Sequence, residues 1–199
     1  MDNLIPCTLD RVAFRKKPQG KEFGGITNRM KAAEPSKVTP AQLCEHIREG
    51  RTFACGCFEP GAAGTGWGRY LGQRIFGVDI DNKLGYQLMP GDFGYLDYME
   101  ALERCEGREW KPLCLYFTFS ANCGACVARY RLIVDSGRWF ATLDESQEFM
   151  RELMAVFPEA DQACKNPHTR LWCGSNGEVW PCFGMDWKGA RWEPLAKTA

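Results

Sequence analysis

Alternating apolar and polar residues predict several short strands along the chain. Residues 52–58, 74–81, 113–119 and 129–134 have the period-two pattern or the short apolar run that is typical of strands. Near the C-terminus, residues 169–173 and 178–182 flank Asn176-Gly177, a dipeptide that favours a tight hairpin turn. We therefore expect antiparallel strand pairing.

Three helices are predicted, one before the first of these strands and two between strands. Thr39 followed by Pro40 is a start signal, and Gly50 is a stop signal after a stretch with helical apolar spacing. Residues 93–105 have similar spacing, and a third helix follows Asp144 and Gln147, which have the spacing of a capping box. The order of elements predicts a mixed α and β domain.

Length and hydropathy limit the class of protein. The chain has 199 residues, of which 45% are hydrophobic, enough for one domain with a sizeable core. It has no apolar run long enough to span a membrane, and its N-terminus does not have the pattern of a secretory signal. We expect a cytoplasmic protein without membrane contact.

The net charge of zero is a sum of unlike segments. Residues 1–51 contain 10 basic and 6 acidic side chains, a net charge of +4, whereas residues 52–110 contain 5 basic and 9 acidic side chains, a net charge of −4. Eight basic residues lie between Arg11 and Lys37, where Pro18, Gly24 and Gly25 disfavour a helix. The pattern predicts an irregular basic N-terminal arm over residues 1–38.

The 11 cysteines are an odd number in a chain without a secretory signal, which favours reduced thiols or metal ligands. Cys123 and Cys126 have the two-residue spacing of a zinc knuckle, but no second such pair follows. Zinc is therefore possible but not favoured. The C-terminal tryptophans are either base-stacking residues or part of the core. They are Trp172, Trp180, Trp187 and Trp192.

The strongest chemical signal is the pair Asp79 and Asp81. On a strand, residues two apart point from the same face about 7 Å apart, so their carboxylates could share divalent cations. A turn at the end of a strand is the plainer interpretation of an isolated Asp-x-Asp. Polar residues later in the chain favour a metal site over a turn. They are Ser120, Arg129 and Arg131 on one predicted strand, Asp161 and Arg170.

These motifs, in this order, resemble the archaeo-eukaryotic primase superfamily, in particular the primase-polymerases of phages and plasmids. The Asp79-Ile80-Asp81 strand is similar to the first motif of the family, and Ser120 to Asn122 occupies the place of its Ser-x-His motif. Arg129-Tyr130-Arg131 is similar to the Arg-x-Arg strand of phage members, and Ala160-Asp161 with Arg170 to the third motif. The resemblance covers about residues 10 to 180.

The resemblance implies an α+β fold: a two-layer primase-polymerase core with an RRM-like antiparallel sheet flanked by helices. It implies a template-dependent nucleotidyltransferase, a DNA primase or polymerase, that replicates a phage, plasmid or other mobile element. Asp79, Asp81 and Asp161 would hold two Mg²⁺ or Mn²⁺ ions, with Asp135 as the alternative third carboxylate. The nucleotide (NTP or dNTP) would be bound by Ser120, Asn122, Arg129, Arg131 and Arg170.

The resemblance also implies partners and boundaries. Single-stranded DNA would cross the basic arm, residues 39–185 would form the catalytic domain, and residues 186–199 a C-terminal tail. We expect a replicative helicase to be a separate protein.

Two alternatives stay open. The family's histidine is absent after Ser120, which favours a catalytically reduced nucleic-acid-binding replication protein. The other is a metal-dependent phosphohydrolase with Asp79 as nucleophile, since the segment is loosely similar to haloacid-dehalogenase enzymes. That motif normally opens a parallel domain, whereas the surroundings of Asp79 predict antiparallel strands.

Overall fold

The computed structural model of the chain describes residues 4–61, 66–82, 90, 92–119, 129–175 and 179–183. Within these residues the fold is mixed α+β, with two antiparallel sheets and four α-helices. The strands are β1 (Ile5–Ala13), β2 (Ser36–Val38), β3 (Arg51–Ala54), β4 (Gly56–Phe58), β5 (Tyr70–Ile80), β6 (Lys111–Phe117), β7 (Tyr130–Phe140), β8 (Leu171–Trp172) and β9 (Val179–Pro181). The helices are α1 (Lys21–Ala32), α2 (Pro40–Arg48), α3 (Tyr98–Glu103) and α4 (Leu143–Val156).

The larger sheet has five strands in the order β4-β5-β7-β6-β9. Its long central strands β5 and β7 pair in antiparallel fashion from Ile75 opposite Asp135 to Ile80 opposite Tyr130. One face of this sheet packs on α4, where the ring of Phe149 contacts the rings of Phe76 and Phe140 at centroid distances of 4.5 and 5.1 Å. These rings form the part of the core that lies between sheet and helix.

The smaller sheet, in the order β2-β1-β3-β8, meets the other face of β5. Trp172 in β8 is fully buried, and its ring lies directly over Gly77 in β5. A Cβ atom at Gly77 would approach the ring to 2.4 Å, so this close contact between the sheets requires glycine. The contact fixes β8 against the C-terminal half of β5.

The N-terminal segment is not the irregular arm that its glycines and charges predicted. It forms β1, α1 and β2, and β1 pairs with both β2 and β3. Helix α1 runs through Gly24 and Gly25 because its other residues are held by packing, which outweighs a propensity cost of about 1 kcal/mol per glycine. Ile26 and Met30 are buried, and Arg29 donates two hydrogen bonds to the buried carboxylate of Asp10.

The predicted helices agree with the structure to different degrees. Helix α2 is confirmed: Thr39 and Gln42 form its capping box, and Gly50 has a positive φ of 77° just beyond its end. The helix predicted over 93–105 is wrong at its start, because Asp97 caps a shorter helix α3. The capping box of α4 is formed by Thr142 and Glu145, not by Asp144 and Gln147.

Two strand predictions are also wrong in detail. The strand predicted over 52–58 breaks at Cys55, so β3 belongs to the smaller sheet and β4 to the larger. Among the described residues, the two strands of the predicted C-terminal hairpin do not pair with each other: β8 pairs with β3, and β9 pairs with β6. The Asn-Gly signal is local and does not determine with which strand each flanking segment pairs.

No helix in the described part of the chain has the length and apolarity needed to cross a membrane. The longest of these helices, α4, has 14 residues, whereas a span takes about 20.

Candidate functional site

Asp79 lies near the end of β5, directly opposite Arg131 on β7. It is 6% exposed, although the strand ends only one residue later. Asp81 follows just beyond the strand and is exposed. The next residue, Asn82, has a positive φ of 43° and anchors the chain: its amide accepts from Leu96 N at 2.9 Å and donates to Leu96 O at 3.0 Å. The strand end is thus fixed beside both aspartates.

Two arginines engage the carboxylate of Asp79. Arg131 Nε donates to Asp79 Oδ1 at 3.2 Å, and Arg170 Nη2 donates to Asp79 Oδ2 at 2.6 Å. Arg170 Nη2 also donates to Asp161 Oδ2 at 3.1 Å, so one guanidinium links the two carboxylates. Buried carboxylates need such partners because the charged form is costly to desolvate.

Asp161 is brought to the site by its backbone. Its amide donates to the carbonyl oxygen of Asp79 at 2.9 Å, and its Oδ1 accepts from the amide of Ala163 at 3.0 Å, which caps a short 3-10 helix (Gln162–Lys165). Partial burial opposes ionisation, but the hydrogen bonds from Ala163 and Arg170 outweigh it and lower the pKa of Asp161. Asp161 is therefore a carboxylate at neutral pH.

The two arginines are themselves held in place by Trp172. The guanidinium carbon of Arg170 lies 4.9 Å from the centroid of the Trp172 ring, and that of Arg131 lies 5.7 Å from it. Arg131 Nη1 also donates to Cys173 O at 2.7 Å. Burial alone would lower the pKa of Arg131, but the Tyr116 hydroxyl and the Asp79 carboxylate beside it raise the pKa. Both guanidinium groups stay charged.

These side chains line one cavity of about 240 Å³. Its walls come from distant parts of the chain, and six of the residues predicted from sequence are among them. The lining residues are Lys17, Asp79, Asp81, Thr118, Phe119, Arg129, Arg131, Asp161, Arg170 and Cys173. The three carboxylates and four cations give a formal charge of +1.

One predicted site residue within the described part of the chain does not line this cavity. Asp135, the alternative third carboxylate, accepts two hydrogen bonds from Arg74, at 2.7 and 2.8 Å, and does not line the cavity wall. Ser120 and Asn122 lie outside the described residues. Lys17 lines the cavity although the sequence predicts it to lie in an irregular basic arm and not at the site.

By residue type, the three carboxylates are the oxygen ligands that Mg²⁺ and Mn²⁺ prefer. Among the described residues, however, no three acidic, cysteine or histidine side chains are grouped so that they could hold a metal ion. Both oxygens of Asp79 contact guanidinium groups. Each oxygen accepts one hydrogen bond and keeps a second lone pair, so a metal ion at Asp79 would bind beside Arg131 and Arg170.

The cysteines that the structure describes belong to the core. All nine are buried and free, and burial raises the pKa of the Cys57 and Cys105 thiols to about 12. The Cys57 and Cys105 thiols are therefore protonated at neutral pH. Cys123 and Cys126 lie outside the described residues, so the zinc-knuckle prediction stays a prediction.

Two of the four C-terminal tryptophans are buried, which is contrary to a base-stacking role for them. Trp172 is 0% exposed and Trp180 is 7% exposed; Trp187 and Trp192 lie outside the described residues. The two histidines are also away from the cavity wall. His46 is buried in α2, with Nε2 at 3.0 Å from Thr52 O.

Comparisons of the chain with protein-family models, with curated proteins and with solved structures find no match.

Proposed function

We propose that the chain is a template-dependent nucleotidyltransferase, a DNA primase or polymerase that acts on single-stranded DNA. One observation carries the proposal: Asp79, Asp81, Asp161, Arg129, Arg131 and Arg170 line the same cavity. Each was singled out from sequence motifs that are far apart along the chain. An ordinary set of surface charges gives no reason for all six to meet.

The positions of the motifs in the sheet support this function. The two aspartates are at the end of β5, the Arg-x-Arg segment is at the start of β7, and Thr118 and Phe119 follow β6. Strands β5, β7 and β6 are neighbours, so antiparallel pairing brings these three segments to one end of the sheet. The primase-polymerase core with its RRM-like sheet is part of the proposal.

The side chains suit polyphosphate chemistry. Guanidinium groups present planar donors that match phosphate oxygens, and Arg129, Arg131 and Arg170 would bind and orient the triphosphate of the incoming NTP or dNTP. Arg131 and Arg170 also hold Asp79 and Asp161 at the cavity wall. Asp79, Asp81 and Asp161 would hold Mg²⁺ or Mn²⁺, which when bound lowers the pKa of an attacking 3′-hydroxyl and stabilises the pyrophosphate leaving group.

A catalytically reduced nucleic-acid-binding protein is the second candidate, and one observation favours it. Asp79 already has guanidinium partners at both oxygens, so its charge is neutralised without a metal ion. The phosphohydrolase alternative has less support, because β5 pairs antiparallel with both of its neighbours, whereas the motif it requires normally opens a parallel domain.

Primer synthesis on single-stranded DNA, with NTPs or dNTPs and with Mg²⁺ or Mn²⁺, tests the proposal. Asp81→Asn is the sharpest variant because Asp81 is exposed and its removal leaves the ion pairs of Asp79 intact. We expect synthesis to fall at least about 100-fold in Asp81→Asn and Asp79→Asn. Chelation of divalent cations should abolish it.

Asp144→Asn is the matched control, since Asp144 is an exposed aspartate on α4 that does not line the cavity. It should retain full activity. DNA binding without synthesis by the wild type, under every metal and nucleotide condition, would refute the polymerase function and favour the second candidate. Turnover of small phosphate esters that depends on Asp79 would favour the phosphohydrolase.

A further inference from the structure

Lys17 reaches the candidate site from the connection between β1 and α1. Its backbone is fixed on both sides: Phe14 N donates to Gly50 O at 3.1 Å, and Pro18 directly after it is buried. A residue before proline is also restricted to extended conformations. The lysine is therefore held at the cavity by the fold and is not on a loose arm.

The packing of α1 explains this position. Ile26 and Met30 form a small buried cluster with Ala54, and Leu171 packs against it. Leu171 directly follows Arg170, so the contact that anchors α1 also anchors the chain beside the cavity. The ion pair between Arg29 and the buried Asp10 ties α1 to β1 as well.

The cations of the cavity divide into two groups. Arg131 and Arg170 form ion pairs with Asp79, and Arg170 pairs with Asp161 as well. Lys17 and Arg129 have no ion pair within the described residues, and neither does Asp81. Two cations at the cavity are thus available to an added anion without the loss of an existing pair.

We infer that Lys17 contacts the polyphosphate of the nucleotide bound in this cavity. The inference rests on the proposed function. At about 240 Å³ the cavity is smaller than the roughly 300–1,000 Å³ of typical ligand pockets, so it accommodates phosphate groups better than a whole nucleotide. The lysine ammonium group is suited to such a contact because it is a compact charge on a flexible stem and does not require one fixed orientation of the phosphate oxygens.

Calorimetric titration with inorganic triphosphate tests this without any need for turnover. Lys17→Ala should weaken binding by about 10-fold, the loss expected for one charge-assisted contact, and Lys17→Arg should restore most of it. Lys16→Ala is the matched control: Lys16 is the exposed neighbour and does not line the cavity. It should change binding less than twofold. Unaltered melting temperatures would show that all variants fold.

Several results would overturn the inference. These are no binding of triphosphate by the wild type, equal loss in Lys16→Ala and Lys17→Ala, or a Lys17→Ala variant that loses affinity only for a single-stranded oligonucleotide. The last would assign Lys17 to the DNA backbone. The two proposals can fail separately. If Lys17→Ala synthesises primers with an unchanged KM for the nucleotide, only the proposed role of Lys17 is refuted. If triphosphate binding depends on Lys17 but the wild type makes no primers, only the polymerase function is refuted.

Discussion

Asp79 is the residue on which the ion pairs of the candidate site converge. Its side chain accepts hydrogen bonds from arginines on two different strands or strand ends, and its backbone carbonyl accepts the amide of Asp161. Removal of either arginine would leave a buried carboxylate short of partners, which costs more than the pair contributes when it is intact. A variant at Arg131 or Arg170 therefore changes folding and function together. A variant at Asp81 tests function alone, because it leaves the ion pairs of Asp79 intact.

His46 gives a pH dependence of stability at the scale of one residue. Burial lowers its pKa, although the hydrogen bond to Thr52 O acts in the opposite direction. Above pH about 6.5 the imidazole is neutral in both the folded and the unfolded chain, so its full contribution to stability is present. Below that pH the unfolded chain takes up a proton that the folded chain resists, and the free energy of unfolding falls as the pH is lowered toward the folded pKa.

We expect a lower urea midpoint at pH 5 than at pH 7.5, and a smaller difference in His46→Gln. Glutamine keeps an amide donor for Thr52 O but does not titrate in this range. The pKa of His168 is lowered by burial in the same direction, so His168→Gln measures its separate share. If the pH dependence of His46→Gln equals that of the wild type, His46 is not the group responsible.

At the same scale, the sequence indicates which residues form the site better than it indicates how buried each residue is and what it contacts. Asp79, Asp81, Asp161 and the arginines could be selected because motifs and charge are visible in the chain. The burial of His46 could not be predicted from its position on an amphipathic helix, because the apolar face was defined by its neighbours alone. Lys17 could not be assigned to the cavity either, since its place depends on contacts of α1 that no local pattern encodes.

At the scale of elements, the contact between β5 and β8 positions the site. Gly77 on β5 allows the ring of Trp172 to lie against the strand, and the same ring lies beside the guanidinium groups of Arg131 and Arg170. The fit between two strands of different sheets therefore controls where the cations of the cavity are held.

Gly77→Ala should destabilise the protein and impair the site together. The new methyl group would meet ring atoms of Trp172 at 2.4 to 2.6 Å, and this ring is fully buried. Overpacking of this kind typically costs about 1–3 kcal/mol. Urea unfolding measures the loss, and titration with inorganic triphosphate at a temperature where the variant is folded measures the displacement of the arginines.

Gly24→Ala is the matched control, because a Cβ at this exposed position in α1 has no neighbour within 4 Å. It should stabilise the protein by up to about 1 kcal/mol, since alanine favours a helix over glycine. A Gly77→Ala variant as stable as the wild type would show that Trp172 can move aside, and the ring would then not be what holds the arginines.

Elements with local signals were predicted well, and elements that depend on distant partners were not. Helix α2 has its cap, its proline and its terminal glycine within a dozen residues, so its bounds could be read from the chain. Helix α1 lacks a side-chain cap and contains two glycines, and it forms because Ile26 and Met30 pack against other elements. The separate partners of β8 and β9 likewise follow from the two-sheet packing, which the Asn-Gly turn signal does not encode.

At the scale of the whole molecule, the zero net charge conceals a separation of charge. The segment with a charge of +4, residues 1–51, includes the connection between β1 and α1, where Arg15, Lys16 and Lys17 follow one another beside the cavity. Acidic side chains of α4 lie on another surface, where Asp144, Glu145 and Glu148 line a separate cavity. A local basic surface can attract a polyanion even when the total charge is zero.

The salt dependence of binding tests whether this surface contacts single-stranded DNA. Lys16 and Lys21 are exposed and lie outside the candidate cavity, so the double variant Lys16→Ala with Lys21→Ala leaves that site intact. If each lysine contacts one phosphate, the slope of log K against log salt should decrease in magnitude by about 1.4, at about 0.7 per contact. Fluorescence anisotropy with a labelled oligonucleotide at several salt concentrations measures this slope.

The double variant Lys111→Ala with Arg151→Ala removes the same charge from other exposed positions and serves as the control. Because long-range attraction depends on total charge, it should slow association slightly but leave the slope unchanged. Equal slopes in the wild type and both double variants would place the DNA path elsewhere. A decrease confined to Lys16 and Lys21 would mean that the strand passes the connection between β1 and α1, next to Lys17 and the cavity where the nucleotide is proposed to bind.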